Sequence, residues 1–107
     1  MAKFLIEASY SQAGLKALVK DGGTGRKKAV EAAVKALGGR LDSMYFAFGT
    51  SDVYAIVDAP DNVTVAAFAL AIGGTGIAAH LKTIVLLTPE EADEAAKRSA
   101  GSGYHAP

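Results

Sequence analysis

The sequence predicts one α+β domain of order βαββαβ plus a terminal helix, its four-stranded antiparallel sheet carrying helices on one face. Three observations predict it. The apolar period switches repeatedly between the two-residue spacing of strands and the three-to-four spacing of helices. Glycine- or proline-bearing segments stand at the switches. The two central strand-like runs are separated only by Gly49-Thr50-Ser51, a hairpin length. At 107 residues the chain has the usual size of a single domain. The domain is expected over 1–98, with a loose tail over 99–107 that has too little apolar content to pack.

The elements follow in order. Residues 3–9 are short and apolar-rich, suiting a first strand. Ser11-Gln12-Ala13-Gly14 opens a helical pattern with Leu15, Leu18 and Val19 on one face and Lys16 and Lys20 off it. Asp21-Gly22-Gly23-Thr24-Gly25 is expected to interrupt that helix, acting as a hinge. A second helix over 26–37 buries Val30, Ala33, Val34 and Leu37, and Gly38-Gly39 stops it. Residues 40–48 and 52–58 read as a hairpin. The loop 59–62 ends in an N-capping side chain, and a helix over 63–72 follows. The last strand covers 77–87. Thr88-Pro89-Glu90-Glu91 then starts a charged helix, with threonine as cap, proline in the first turn and acids on the positive helix end. This order is the ferredoxin-like arrangement. Gly22-Gly23-Thr24-Gly25 and Gly73-Gly74-Thr75-Gly76 match across its two halves, a recurrence of only four low-complexity residues.

Composition excludes several functions. Eleven basic and 11 acidic side chains cancel, which argues against a general nucleic-acid binder. With no cysteine there is no disulfide framework, thiolate nucleophile or structural zinc site of the usual kind. Only His80 and His105 supply imidazole, so no multi-histidine metal site forms within one chain. The acidic residues Glu90, Glu91, Asp93 and Glu94 read as a helix first turn rather than a metal cluster. Glu7 comes too early for the apolar core of a signal peptide. The uncharged run 62–79 is mostly alanine and is broken by Gly73-Gly74-Thr75-Gly76, which favours a turn over a membrane span. A soluble, cytoplasmic protein is expected.

Two patterns point to self-association. Over 63–72, Val63, Ala66, Ala67 and Leu70 share one helix face while Val65, Phe68 and Ile72 lie opposite, leaving no polar side for solvent, so the second face is expected to meet the terminal helix or another subunit. The first hairpin strand is apolar on both faces by strict alternation, with Leu41, Ser43, Tyr45 and Ala47 on one and Met44, Phe46 and Phe48 on the other. Such a sheet exposes apolar area unless a second copy covers it. A homo-oligomer, dimer or larger, is expected, and Phe68→Glu is expected to split it without unfolding the chain.

The residues as a set resemble the GYD-domain family. The run Phe46-Ala47-Phe48-Gly49-Thr50-Ser51-Asp52-Val53, the segment Val57-Asp58-Ala59-Pro60-Asp61-Asn62-Val63 and the stretch from Lys82-Thr83 to Leu87-Thr88-Pro89-Glu90-Glu91 carry the likeness. Ser9-Tyr10, Gly14-Leu15-Lys16 and Gly22-Gly23-Thr24-Gly25-Arg26 fit the same pattern, so it covers roughly 3–95. Gly49 and Asp52 match the Gly-Tyr-Asp signature, whereas Ser51 stands where the tyrosine would be. The resemblance implies a chain of the dimeric α+β-barrel group, in which two sheets pack together. That wider group includes small monooxygenases, haem-degrading enzymes, lactone isomerases and stress-response proteins; none of these activities transfers on fold alone.

Four side chains are the ligand-binding candidates. Asp52 opens a strand beside a glycine turn and can act as a base, or simply accept nearby backbone amides. Arg26 follows a glycine run whose amides can meet an anion, yet it lacks the spacing of a phosphate loop. His80, on a strand face with Lys82, Ile84 and Leu86, can shuttle protons or ligate haem. Tyr10 sits at the joint of strand and helix, where its hydroxyl can reach a cleft. No serine has a base partner in the sequence, so a serine hydrolase has no support. Three functions are compatible with these residues. The first is a small-molecule-binding or regulatory oligomer with an apolar pocket. The second is a small enzyme of the monooxygenase or isomerase type, using Asp52 or His80 as acid–base with Tyr10 or Arg26 holding an anionic substrate. The third is a subunit whose role is assembly.

Overall fold

The structure is a computed structural model that describes residues 1–106. Its elements are β1 (Ala2–Tyr10), α1 (Gln12–Ala36), β2 (Arg40–Phe46), β3 (Val53–Ala59), α2 (Asn62–Gly73), β4 (Ala78–Leu86) and α3 (Pro89–Ser99), closed by a 3-10 turn Ala100–Ser102. The four strands form one sheet in the order β2-β3-β1-β4, and every neighbouring pair is antiparallel. This is the expected ferredoxin-like fold. The tail expectation over 99–107 covers Pro107, which lies outside the described residues.

The two-residue period decides which sheet face is buried. Phe4, Ile6 and Ala8 of β1 stand opposite Val57, Ala55 and Val53 of β3, all on one face and all buried. Val34 of α1 with Val65 and Phe68 of α2 closes the core over that face. Each large side chain removed from water here contributes about 1.5–3 kcal/mol. The helix ends are specified locally. Ser11 caps α1, its Oγ accepting from the Gly14 amide. At the other end the Gly38 and Gly39 amides donate to Lys35 and Val34 carbonyls, with Gly38 at φ 87° as this C-terminal motif requires. The α2 cap is Asp61, so that helix starts one residue earlier than the expected 63.

Four expectations change. The break predicted over 21–25 narrows to one residue: two helical segments are present, and they meet at a kink at Gly22 (φ 73°, ψ 168°) inside α1. Helical backbone resumes at once, and Gly23 lies against the Phe46 ring, where a Cβ would come within 3.2 Å of it. The Gly73–Thr75–Gly76 segment, in contrast, is a turn closing α2, so the two matching runs do different work. Second, the β2 alternation breaks. A bulge between Leu41 and Ser43 places Leu41 with Met44 and Phe46 toward the helices and leaves Ser43 and Tyr45 on the open face. Third, Phe68 faces the core at 5% exposure, so Phe68→Glu would unfold the chain rather than split an oligomer. The outward residues of α2 are Val63 and Leu70, both 78% exposed. Fourth, α3 does not cover them. It forms as the sequence predicts, with a complete Thr88–Glu91 capping box and Pro89 in its first turn, yet every one of its residues is exposed. The radius of gyration is accordingly 16.6 Å, against about 13 Å for a compact domain of this length.

Candidate functional site: a cleft between sheet and helices

The cleft lies between the buried sheet face and the helices, and its walls follow from the register. Ile6, Val53 and Ala55 form its floor, with Val30, Phe68 and Ile72 contributed by the helices. The space inside is about 50 Å³, room for a few waters or the head of a small ligand. Among the lining side chains only Tyr10 and Arg26 bring hydrogen-bonding oxygen or nitrogen.

The local fold puts them there. Between Ser9 and Tyr10 the β1–β4 register shifts, and the Tyr10 amide that loses its ladder position donates instead to Asp52 Oδ2 at 2.8 Å. Asp52 is itself tied to the sheet: its amide donates to the Ala8 carbonyl and its carbonyl accepts from Ala47. The signature aspartate thus fixes the backbone that carries Tyr10. Gly14 leaves the ring its space, since a methyl group there would collide with the Ile77 carbonyl and come within 2.6 Å of Tyr10 Cδ1. Ser11 Oγ bonds the carbonyls of Gly76 and Ile77, locking the start of α1 to the start of β4 at the mouth of the cleft.

Arg26 reaches the cleft from one turn beyond the Gly22 kink. Its side chain is 13% exposed, whereas the neighbouring Lys27 and Lys28 are exposed. One guanidinium nitrogen meets Asp21 Oδ2 at 3.3 Å. Its Nε is buried with no hydrogen-bond partner among the described residues. An unsatisfied buried donor costs about 1–3 kcal/mol, a cost that an incoming acceptor removes. The Tyr10 phenol is held above its usual pKa, first by burial, with the adjacent Arg26 charge acting against that rise. It is therefore a neutral hydroxyl donor at pH 7.

The structure brings Tyr10 and Arg26 together, sets Asp52 behind Tyr10, and separates His80. By register His80 stands opposite Ser9 on the other sheet face, where Glu7, Ser9, Thr50 and Lys82 surround a shallow polar depression of about 320 Å³. The sequence predicted an apolar pocket without naming its walls, because periodicity groups Val65, Phe68 and Ile72 on one helix face but does not say which of the two faces turns inward or separate packed core from cleft lining. Among the described residues no group of three or more His, Cys, Asp or Glu is placed to hold a metal ion, and no helix is long and apolar enough to cross a membrane.

Fold and cleft together define a ferredoxin-like α+β domain with a small apolar cavity headed by an arginine and a tyrosine. The chain belongs to the GYD domain family, whose model matches residues 4–96. Among solved structures it is similar to the crystal structure of FFRP-DM1, at TM-score 0.53 and 14% identity over 81% of this chain and 100% of that one. It is also similar to TTHA0845 from Thermus thermophilus, at TM-score 0.46 and 15% identity over 82% and 95% of the two chains. No curated protein matches the sequence. At these identities the structural likeness concerns the fold.

Proposed function

We propose that this domain is a small-molecule-binding, self-associating module whose ligand carries a carboxylate or similar oxyanion with a short apolar body. The observation that carries this reading is Arg26, which lines a cavity that is apolar apart from it and Tyr10 and whose buried Nε has no hydrogen-bond partner among the described residues. A guanidinium presents a planar fork of donors suited to two oxygens of one anion. The neutral Tyr10 hydroxyl supplies a further donor, and the walls receive the apolar part. The enzyme alternative needs a base beside the ligand. Asp52 is turned to the Tyr10 amide, and His80 lies across the sheet, so binding is the better supported activity.

Self-association is supported by the open sheet face and by the outward side of α2. Tyr45 and Ile84 are exposed on the former, Val63 and Leu70 on the latter, without a layer of this chain above them.

The binding test is a calorimetric titration with hexanoate and benzoate, each paired with its neutral amide. The carboxylates are expected to bind and the amides at least about tenfold more weakly, in line with a charge-assisted bond of roughly 1.5–3 kcal/mol. Arg26→Met removes the preference for the anion while leaving the fold intact. Equal affinity of Arg26→Met and the parent chain for both carboxylates overturns the assignment of this residue.

A further inference from the structure

The helix α3 is fully specified and wholly unpartnered. It has a capping box, a proline start and an Arg98–Glu94 pair at 3.0 Å, yet it buries none of its residues. An isolated helix of 11 residues is marginal in water, where about 12–15 are needed even for favourable sequences. Its surface is two-sided. At 100° per residue Ala92, Ala95, Ala96 and Ser99 form one face, bordered by Glu91 on one side and Asp93 on the other. The remaining surface holds Glu90, Glu94, Lys97 and Arg98.

A complementary surface exists at the start of α1. Gln12, Leu15, Lys16, Val19 and Lys20 line a shallow groove of about 410 Å³. Leu15 is 49% and Val19 86% exposed, and Lys16 and Lys20 run along one side of that apolar ridge. Neither lysine, nor Asp93, has an ion-pair partner among the described residues. In its own chain α3 does not meet this ridge. α1 begins where Tyr10 pairs with Ala78, whereas α3 leaves the opposite end of the sheet, where Lys3 pairs with Leu86. Seven residues of strand separate those ends, or about 25 Å.

We infer that α3 is an exchange arm: its alanine face seats on the Leu15–Val19 ridge of a second copy of this chain, with Asp93 facing that copy's Lys16 and Lys20. Small residues on α3 let the two helices approach closely, and the ridge side chains supply the apolar area that alanine lacks. Lysines beside an acidic helix border steer the two surfaces together. The inference rests on the self-association reading, but assigns a contact distinct from the open sheet face.

The chain has no cysteine, so single cysteines report the contact cleanly. Val19→Cys and Ala96→Cys, both at exposed positions, are mixed under mild oxidant and the disulfide-linked pair is quantified. Val63→Cys mixed with Ala96→Cys is the control, since Val63 is exposed on a different helix. The 19–96 pair is expected to form at least about fivefold faster than the 63–96 pair, as one favourable charged contact of about 1 kcal/mol suffices to enrich it. Adding Lys16→Glu and Lys20→Glu to the Val19→Cys chain abolishes the excess, and adding Asp93→Lys to the Ala96→Cys chain restores it. Equal rates for the two pairs in a protein that sediments as an oligomer overturn the arm and leave the sheet-face reading standing. Equal rates in a protein that sediments as a monomer overturn both.

Discussion

Asp58 shows how one buried charge is held. Its side chain stands near the end of β3 on the sheet face away from the helices, 5% exposed, and accepts from Lys3 Nζ at 2.8 Å and from an Arg40 guanidinium nitrogen at 2.6 Å. The hydrogen bond from Lys3 is the main cause that lowers its pKa; burial opposes it, and Arg40 adds to the lowering. A carboxyl with a depressed folded pKa stabilises the fold fully above its unfolded pKa of about 3.9 and loses that contribution as pH falls through the folded value. Stability measured by urea unfolding is therefore expected to be level in this respect near neutral pH and to fall below about pH 4. Asp58→Asn should remove that acid-side slope. At pH 7 it should cost about 1–2 kcal/mol, less than a fully buried pair, because Lys3 and Arg40 both reach solvent. An unchanged acid slope in the variant would show that other carboxylates control the transition. The sequence displayed Lys3, Arg40 and Asp58, but their meeting depends on β1–β3–β2 pairing across 55 and 18 residues, which no local pattern encodes.

At the scale of elements, legibility followed how local the determinant was. The caps of α1 and α3, the stop at Gly38 and the hairpin of β2 and β3 were all readable, because each depends on residues within one turn of one another. The Gly22 kink was readable as an interruption, but its narrowness was not, since any glycine of the run could have carried the break and only Gly22 does. The β2 bulge was likewise hidden, since alternation of apolar residues fits either face of a strand whose neighbour is unknown. For the cleft, Tyr10 and Arg26 were legible as side chains at element joints, whereas the space between them was not. Gly14 tests the link between element packing and that space. Gly14→Ala is expected to destabilise by about 1–3 kcal/mol through overpacking against the Ile77 carbonyl. It should also displace the Tyr10 ring, visible as altered tyrosine resonances on NMR. A variant of parental stability with unmoved tyrosine signals would mean that α1 can lift from β4 without strain.

At the scale of the whole molecule the open sheet face is arranged in rows set by strand register. One row crosses all four strands as Ser43, Ile56, Leu5 and Ile84; beside it runs Tyr45, Tyr54, Glu7 and Lys82. An apolar band flanked by aromatic and charged residues has the anatomy of an interface. Glu7 opposite Lys82 is also self-complementary, because a two-fold axis through the sheet brings each beside the other's partner. Four strands about 4.8 Å apart and roughly 25 Å long give a flat footprint near 500 Å², below the roughly 800 Å² per partner of a standard interface. The α3 exchange inferred above would supply area of the kind this face lacks, so the two proposed contacts would reinforce each other in one assembly. Ile84→Arg places a charge at the β4 end of the apolar row, at a position 36% exposed, so the chain should still fold. Sedimentation velocity is expected to show the oligomer shifted to monomer, with far-UV circular dichroism unchanged and carboxylate binding retained by the cleft on the opposite face. If Ile84→Arg leaves the sedimentation coefficient unaltered while Leu70→Glu lowers it, the outward side of α2 is the interface and the sheet face is not.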